Sequence, residues 1–136
     1  MRMIVTGIKD GKSCLVEERD CSQVPEMDLI SMLDLQLDKL APRPPGQGQL
    51  IQTGVAPGAL RWFRVRFTPN SVTDKHHTDT IDLHTIIAGS MDLILDDGAH
   101  RLQAGDTALV TGVDHGWQAG PDGCLTSIVM LGTPAR

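Results

Sequence analysis

The sequence predicts an all-β domain, an antiparallel sandwich or barrel. Three observations carry that reading. Short runs of alternating apolar and polar residues recur along the chain. Turn signals separate them roughly every 8 to 12 residues, the spacing of sandwich and barrel strands. Asp-Gly pairs at Asp10-Gly11, Asp97-Gly98 and Asp122-Gly123 fall between such runs, as tight hairpin turns do.

Taken in order, Met3 to Ile8 and Ser13 to Glu17 form a hairpin around Asp10-Gly11-Lys12, and residues 20 to 28, with Pro25, form a loop. Residues 29 to 40 satisfy two patterns. Leu33, Leu35 and Leu37 alternate with Asp34, Gln36 and Asp38, whereas Leu29, Leu33, Leu37 and Leu40 make a helical stripe. The strand is preferred because its neighbours are strands. Pro42, Pro44, Pro45, Gly46 and Gly48 then predict a mobile surface loop, a connector or a lid. In Arg61 to Phe67, Phe63, Val65 and Phe67 share the core face, and Arg64 and Arg66 the other. Further strands follow at 90–95, 99–102 and 107–111. His115 and Trp117 share the next strand face, Pro121-Asp122-Gly123 turns, and Leu125 to Leu131 closes the set.

The chain has 136 residues, enough for one domain with its own core. Its net charge of -5 and scattered Lys and Arg residues argue against a nucleic-acid partner. No apolar run is long enough to span a bilayer, and the N-terminus lacks a signal-peptide core, so a cytoplasmic protein is expected. Three cysteines without close spacing, Cys14, Cys21 and Cys124, are expected to be free thiols.

The chemistry concentrates at residues 76–89. His76, Thr78, Asp82 and His84 have one parity, so on a strand they line one wall, while His77 and Asp79 face away and His77 is expected in solvent, as is His100. Imidazole and carboxylate on one wall can bind a divalent metal.

Here the chain resembles the cupins, whose first motif is G-x5-H-x-H-x3,4-E-x6-G. Asn70, His76, Thr78, Asp82 and Gly89 keep its register, with Asn for the first Gly, Thr for the second His and Asp for Glu. The second motif, G-x5-P-x-G-x2-H-x3-N, is matched by Gly105, Gly112 and His115, one residue shorter and without its Pro and Asn. The string from His76 to Asp82, with Asp96-Asp97-Gly98, Ala104-Gly105-Asp106 and His115-Gly116-Trp117, resembles a branch of small single-domain cupins. It covers about residues 60–132, and residues 1–59 match loosely.

The resemblance implies a cupin-type antiparallel jelly-roll barrel, a double-stranded β-helix. It implies one divalent metal ion (Fe, Mn, Zn or Ni) on His76, Asp82 and His115. His84 either replaces the ligand lost at Thr78 or acts with Asp82 as a catalytic acid/base. Thr78, Trp117, Arg64 and Met130 are expected to bind substrate, beside an aliphatic wall of Ile86, Leu93, Leu109, Ile128 and Met130. Small cupins like these act on polyketides or aromatic acids. The expected activity is thus decarboxylation, elimination, isomerisation or cyclisation of a small carbonyl- or carboxylate-bearing substrate. An Fe(II) dioxygenase and a non-catalytic binding protein are the alternatives. The resemblance also implies a homodimer, in which Met3 to Ile8 adds to the neighbour's sheet.

Overall fold

A computed structural model describes residues 1–136. Its strands are β1 (Arg2–Lys9), β2 (Lys12–Asp20), β3 (Gln49–Leu50), β4 (Leu60–Phe67) and β5 (Val72–His77). They continue with β6 (Thr80–Leu95), β7 (Gly98–Gln103), β8 (Thr107–Val110) and β9 (His115–Gly132). All nine belong to one curled sheet in the order β2-β1-β8-β6-β9-β5-β3, with β4 on β9 and β7 on β6. No helix is long and apolar enough to cross a membrane.

Two long strands organise the sheet. β6 and β9 pair antiparallel from Thr80↔Gly132 to Ile94↔Gly116. Alternation along both sorts side chains between two faces. One face encloses the main core, where Ile4, Ile86, Met91, Leu93, Leu102, Val110 and Trp117 are buried together. The other carries a smaller apolar cluster around Ile81, Leu109 and Leu131. Leu109 therefore leaves the expected aliphatic wall of the site, because its register with Leu83 turns it outward.

The expected turn at Pro121-Asp122-Gly123 does not break β9, which runs through it. Between the pairs Gly89↔Cys124 and Met91↔Ala119, β9 carries four residues against one on β6, so the turn signal is absorbed as a bulge. Gly89 lies opposite at φ 75°, and a Cβ there would strike the Gly123 carbonyl.

Residues 29–40 are not a strand. They hold only a 3-10 turn at Leu37–Lys39 and lie across the outer face, where Leu33 and Leu40 pack on the second cluster. Side-chain contact rather than a ladder anchors them, and Leu29, Leu35 and Leu37 stay exposed. The Pro/Gly stretch is pinned: Gln47 and Gly48 donate their N–H groups to Asp114 at 2.6 and 2.9 Å, and β3 pairs with His76 and His77. It therefore acts as a fixed brace behind β5. The first hairpin docks on the β6–β7 turn through Ser13 and Asp96, which exchange hydrogen bonds at 2.9 Å.

Gly89→Ala should destabilise the fold by ~1–3 kcal/mol, since it combines left-handed strain with a backbone clash. Urea denaturation of the variant checks this; an unchanged midpoint contradicts the proposed close approach.

Candidate active site

β5, β6 and β9 bring four side chains to one region of the interior. His76 and His115 are register partners on β5 and β9, and their rings lie 4.3 Å apart between centroids. His84, from β6, lies 4.6 Å from the Trp117 ring, which in turn meets His115 edge-on at 5.8 Å. His84 and His115 are buried, whereas His76 is only half-buried and forms the solvent side of the cluster.

Backbone carbonyls fix two of the rings. Nδ1 of His76 lies 2.8 Å from the Asp74 carbonyl, and Nδ1 of His115 lies 2.8 Å from the Val113 carbonyl. A carbonyl only accepts, so each Nδ1 must donate. In the neutral rings the lone pair then sits on Nε2. That arrangement orients an imidazole as a metal ligand. Both nitrogens of the buried His84 lack any partner.

Burial, then the neighbouring His115 and His76 rings, pushes His84 down to about 3. Burial and the adjacent His76 likewise push His115 down to about 4, against smaller opposing effects from the Val113 carbonyl and Asp114. Asp82 lies two residues before His84 on the same face. It is buried, and one carboxyl oxygen, Oδ1, has no partner. Burial pushes Asp82 up to about 7, with Thr80 opposing through a hydrogen bond. Asp82 therefore holds a proton near neutrality.

The expected set of His76, Asp82 and His115 is thus only partly the one that meets. His84 joins the two other histidines, and Asp82 sits one interior position along β6. Thr78 is buried, and its hydroxyl accepts from that of Thr80 at 2.8 Å, beside the cluster and not in it. Trp117 touches both His84 and His115. Met130 is half-buried on the interior face, in register with Asp82. Arg64 is exposed and lies in register with Ser127 on the outer face, so it does not reach the site. Its parity with Trp62 puts it outside.

Sequence reasoning missed one pair. His77 is buried, and its Nδ1 lies 2.9 Å from Asp114 Oδ1. It does face away from the interior as expected, but the 46–48 brace covers it instead of water. A Cβ on Gly46 would strike the His77 ring and Asp114. Burial raises the Asp114 carboxyl, but hydrogen bonds from Gln47, Gly48 and His77 outweigh that and hold it below its ordinary value. No short motif marks this contact, since it joins three distant segments. His100, half-buried, bonds Asp97 at 2.7 Å.

As donors, the three imidazoles fit a divalent ion such as Zn, Fe or Ni. The unpartnered nitrogens of His84 and the free Nε2 atoms of His76 and His115 are the groups such an ion would satisfy. No three His, Cys, Asp or Glu side chains converge as a ready chelate, so binding requires the rings to turn inward. Nor does the site open as a large pocket. A depression of about 340 Å³ lies along residues 51–57, and another of about 320 Å³ beneath residues 24–32. Neither of these includes His76, His84 or His115.

Comparison with known proteins agrees at the level of fold. No family model and no curated protein matches the sequence. A solved Rhizobium leguminosarum protein of unknown function aligns with a TM-score of 0.51 at 14% identity, over 55% of this chain and 72% of its own. An RmlC-like cupin from Shewanella frigidimarina aligns at 0.48 and 24% identity, over 57% and 68%. KdgF from Halomonas sp. aligns at 0.46 and 22% identity, over 57% and 70%. The likeness is one of fold alone, an all-β chain built on a curled sheet.

The titrations of the metal-free protein oppose one another. Asp82 keeps its proton up to about 7, whereas an unfolded Asp loses it at 3.8, so its contribution to stability falls as pH rises between those values. His84 and His115 refuse protons that unfolded histidines accept below 6.5, so their contribution is lost as pH falls through that window. From about pH 4 to 6.5 the unfolded chain therefore binds one proton more, net. Stability should rise with pH there, by up to about 1.4 kcal/mol per pH unit. Asp82→Asn removes the opposing group and should steepen the rise. Urea denaturation at several pH values measures both slopes; a flat or falling wild-type curve contradicts the burial of the imidazoles.

Proposed function

We propose that this chain is a metal-dependent enzyme acting on a small carbonyl- or carboxylate-bearing substrate. His76, His84 and His115 hold one divalent ion, and Asp82 carries the proton. The observation behind this reading is His84, buried with both ring nitrogens unpartnered beside two imidazoles whose Nε2 atoms are free. A buried polar group without a partner is costly. A metal would remove that cost by taking up the unpartnered lone pairs.

When bound, the ion supplies a Lewis acid for a carbonyl or carboxylate oxygen. The chain's own groups supply the rest. The Asp74 and Val113 carbonyls hold His76 and His115 in one tautomer. Asp82, raised to about 7 by burial in the metal-free chain, is suited to give a proton to a developing carbanion or enolate carbon and take it back. Trp117, Ile86 and Ile128 keep that side of the interior dry. Decarboxylation, elimination, isomerisation and cyclisation all use this combination. His76, the exposed member, marks the side from which a small, largely apolar substrate reaches the ion.

A second reading, a binding protein without chemistry, draws on one observation: the depressions along residues 51–57 and beneath residues 24–32 do not include the three histidines.

Protein prepared without a His tag should bind one equivalent of Zn(II), Mn(II), Ni(II) or Fe(II), read by elemental analysis and calorimetry. His84→Gln and His115→Gln should each weaken binding by at least about tenfold, as second-shell losses already cost 10–100-fold. Asp82→Asn should retain the ion but lose turnover. A wild-type chain that binds none of these ions ends the metal reading. One that binds an ion yet turns over no small keto or carboxylic acid favours the second.

A further inference from the structure

The turns at one end of the curled sheet build a polar site that the interior histidines do not use. Arg136 lies beyond the last strand, and its guanidinium turns back into the fold. Nε donates to the Asp79 carboxylate at 2.8 Å. Nη1 donates to the Pro44 carbonyl, and Nη2 to the carbonyls of Thr78 and, at 3.1 Å, Gly112. Pro44 belongs to the brace, Thr78 and Asp79 to the turn between β5 and β6, and Gly112 to the turn between β8 and β9. One carboxylate and three carbonyls thus form a socket of acceptors. Its layout selects the occupant. A guanidinium presents a planar fork of donors on three nitrogens and reaches all four groups at once, whereas an ammonium has its donors on one atom.

The present occupant is lightly tied. Its side chain is 14% exposed, but the residue as a whole is exposed. Beyond the bond from the Thr133 N–H to the Asp79 carbonyl at 3.0 Å, no backbone hydrogen bond anchors residues 134–136. Arg43 adds a like charge. A Cβ on Gly112 would strike its Cγ, and its guanidinium donates only to the Ala41 carbonyl. Burial, then Arg136, holds Arg43 below its ordinary value, so the two cations oppose each other across Gly112.

Asp79 also faces a way in. With Thr133 and Ala135 it forms one wall of the depression of about 340 Å³ along residues 51–57. Thr133 is buried there with its hydroxyl unpartnered, a costly arrangement unless another group bonds it. The opposite wall mixes Thr53 with Val55 and Pro57. A molecule with a guanidinium head and a short body fits both parts, the head in the socket and the body in the depression.

We propose that the socket and the depression together bind a small guanidinium-bearing molecule, with Arg136 as its built-in competitor. The ligand replaces the Arg136 side chain on Asp79, Pro44, Thr78 and Gly112 and lies along residues 51–57 beside Thr133. While Arg136 fills the socket, the apparent affinity falls by the fraction of chains left open. The site does not depend on the metal reading.

Titration with ethylguanidinium, well below denaturing concentration, tests this by proton–nitrogen correlation spectra of the whole chain. Arg136→Ala should bind one equivalent, with shifts centred on residues 51–57, 78–79, 112 and 133. The wild type should bind at least about tenfold more weakly, and so should Asp79→Asn in the Arg136→Ala background. Propylammonium should bind Arg136→Ala at least about tenfold more weakly than ethylguanidinium. Arg43→Ala in the same background should tighten binding. The wild type alone carries the test if Arg136→Ala does not fold: its Arg136 Nε–H signal should move to the position of a free arginine as ethylguanidinium is added. An Arg136 signal that stays in place overturns the proposal. So does a folded Arg136→Ala chain that binds no ethylguanidinium, binds it no tighter than the wild type, or is indifferent to Asp79→Asn. Equal binding of propylammonium overturns the choice of ligand class.

Discussion

The long pairing of β6 with β9 is the constraint on which the rest of the molecule depends. Over most of two strands it fixes which side chains point inward, and a slip of one residue would exchange the faces. His84 and Asp82 are interior because Ile128 and Met130 are their partners. Leu83 is exterior because Val129 is its partner. The bulge opposite Gly89 lets one strand bend where the other must not, and the curl of the sheet follows from it. Because β9 also pairs with β4 and β5, one strand sets the position of His115 against His76 and of Trp62 against Leu83. The interior site and the outer face are two sides of one register.

That register places the polar cluster where it is hardest to hold. Three imidazoles and a carboxyl occupy an interior otherwise filled by aliphatic and indole carbon. Burial drives each group toward its neutral form: protonated for Asp82, unprotonated for His84 and His115. The result is a low-dielectric chamber with one proton donor and several lone pairs, none of them charged. Such a chamber is poorly suited to stability alone, since aliphatic side chains would fill it at lower cost. It is suited to a cation, whose charge the lone pairs would meet.

Much of this was legible in the sequence. Alternation and Asp-Gly turns mark most of the strands, and parity turns His76, Asp82 and His84 inward and His77 away, but the break at 78–79 puts His76 on β5 and the other two on β6, on different walls. The fold was legible because hydrophobic period is a local property. Burial across distant segments was not. His77 is covered by a Pro/Gly stretch thirty residues earlier, held by an aspartate thirty-seven residues later. Nothing near His77 announces either. The leucines of 29–40 were read as a strand because alternation does not reveal whether a backbone finds a free edge; here the segment lies across a face. Pro121 reads as a turn because its bulge depends on a mismatch, four residues of β9 opposite one of β6, that no local pattern reveals. Arg64 fell on the face its parity gave, away from the site.

The geometry of the site also explains why its motif is imperfect without being idle. Thr78 stands where the resemblance calls for a histidine, and its hydroxyl is already engaged by Thr80. The nitrogen absent there is present at His84, which reaches the His76–His115 pair from the opposite wall. Asp82 lies one interior position along β6 from His84, where burial raises its carboxyl to about 7. The elevated Asp82 follows from burial among apolar side chains, a consequence of the β6–β9 register rather than of what stands at position 78.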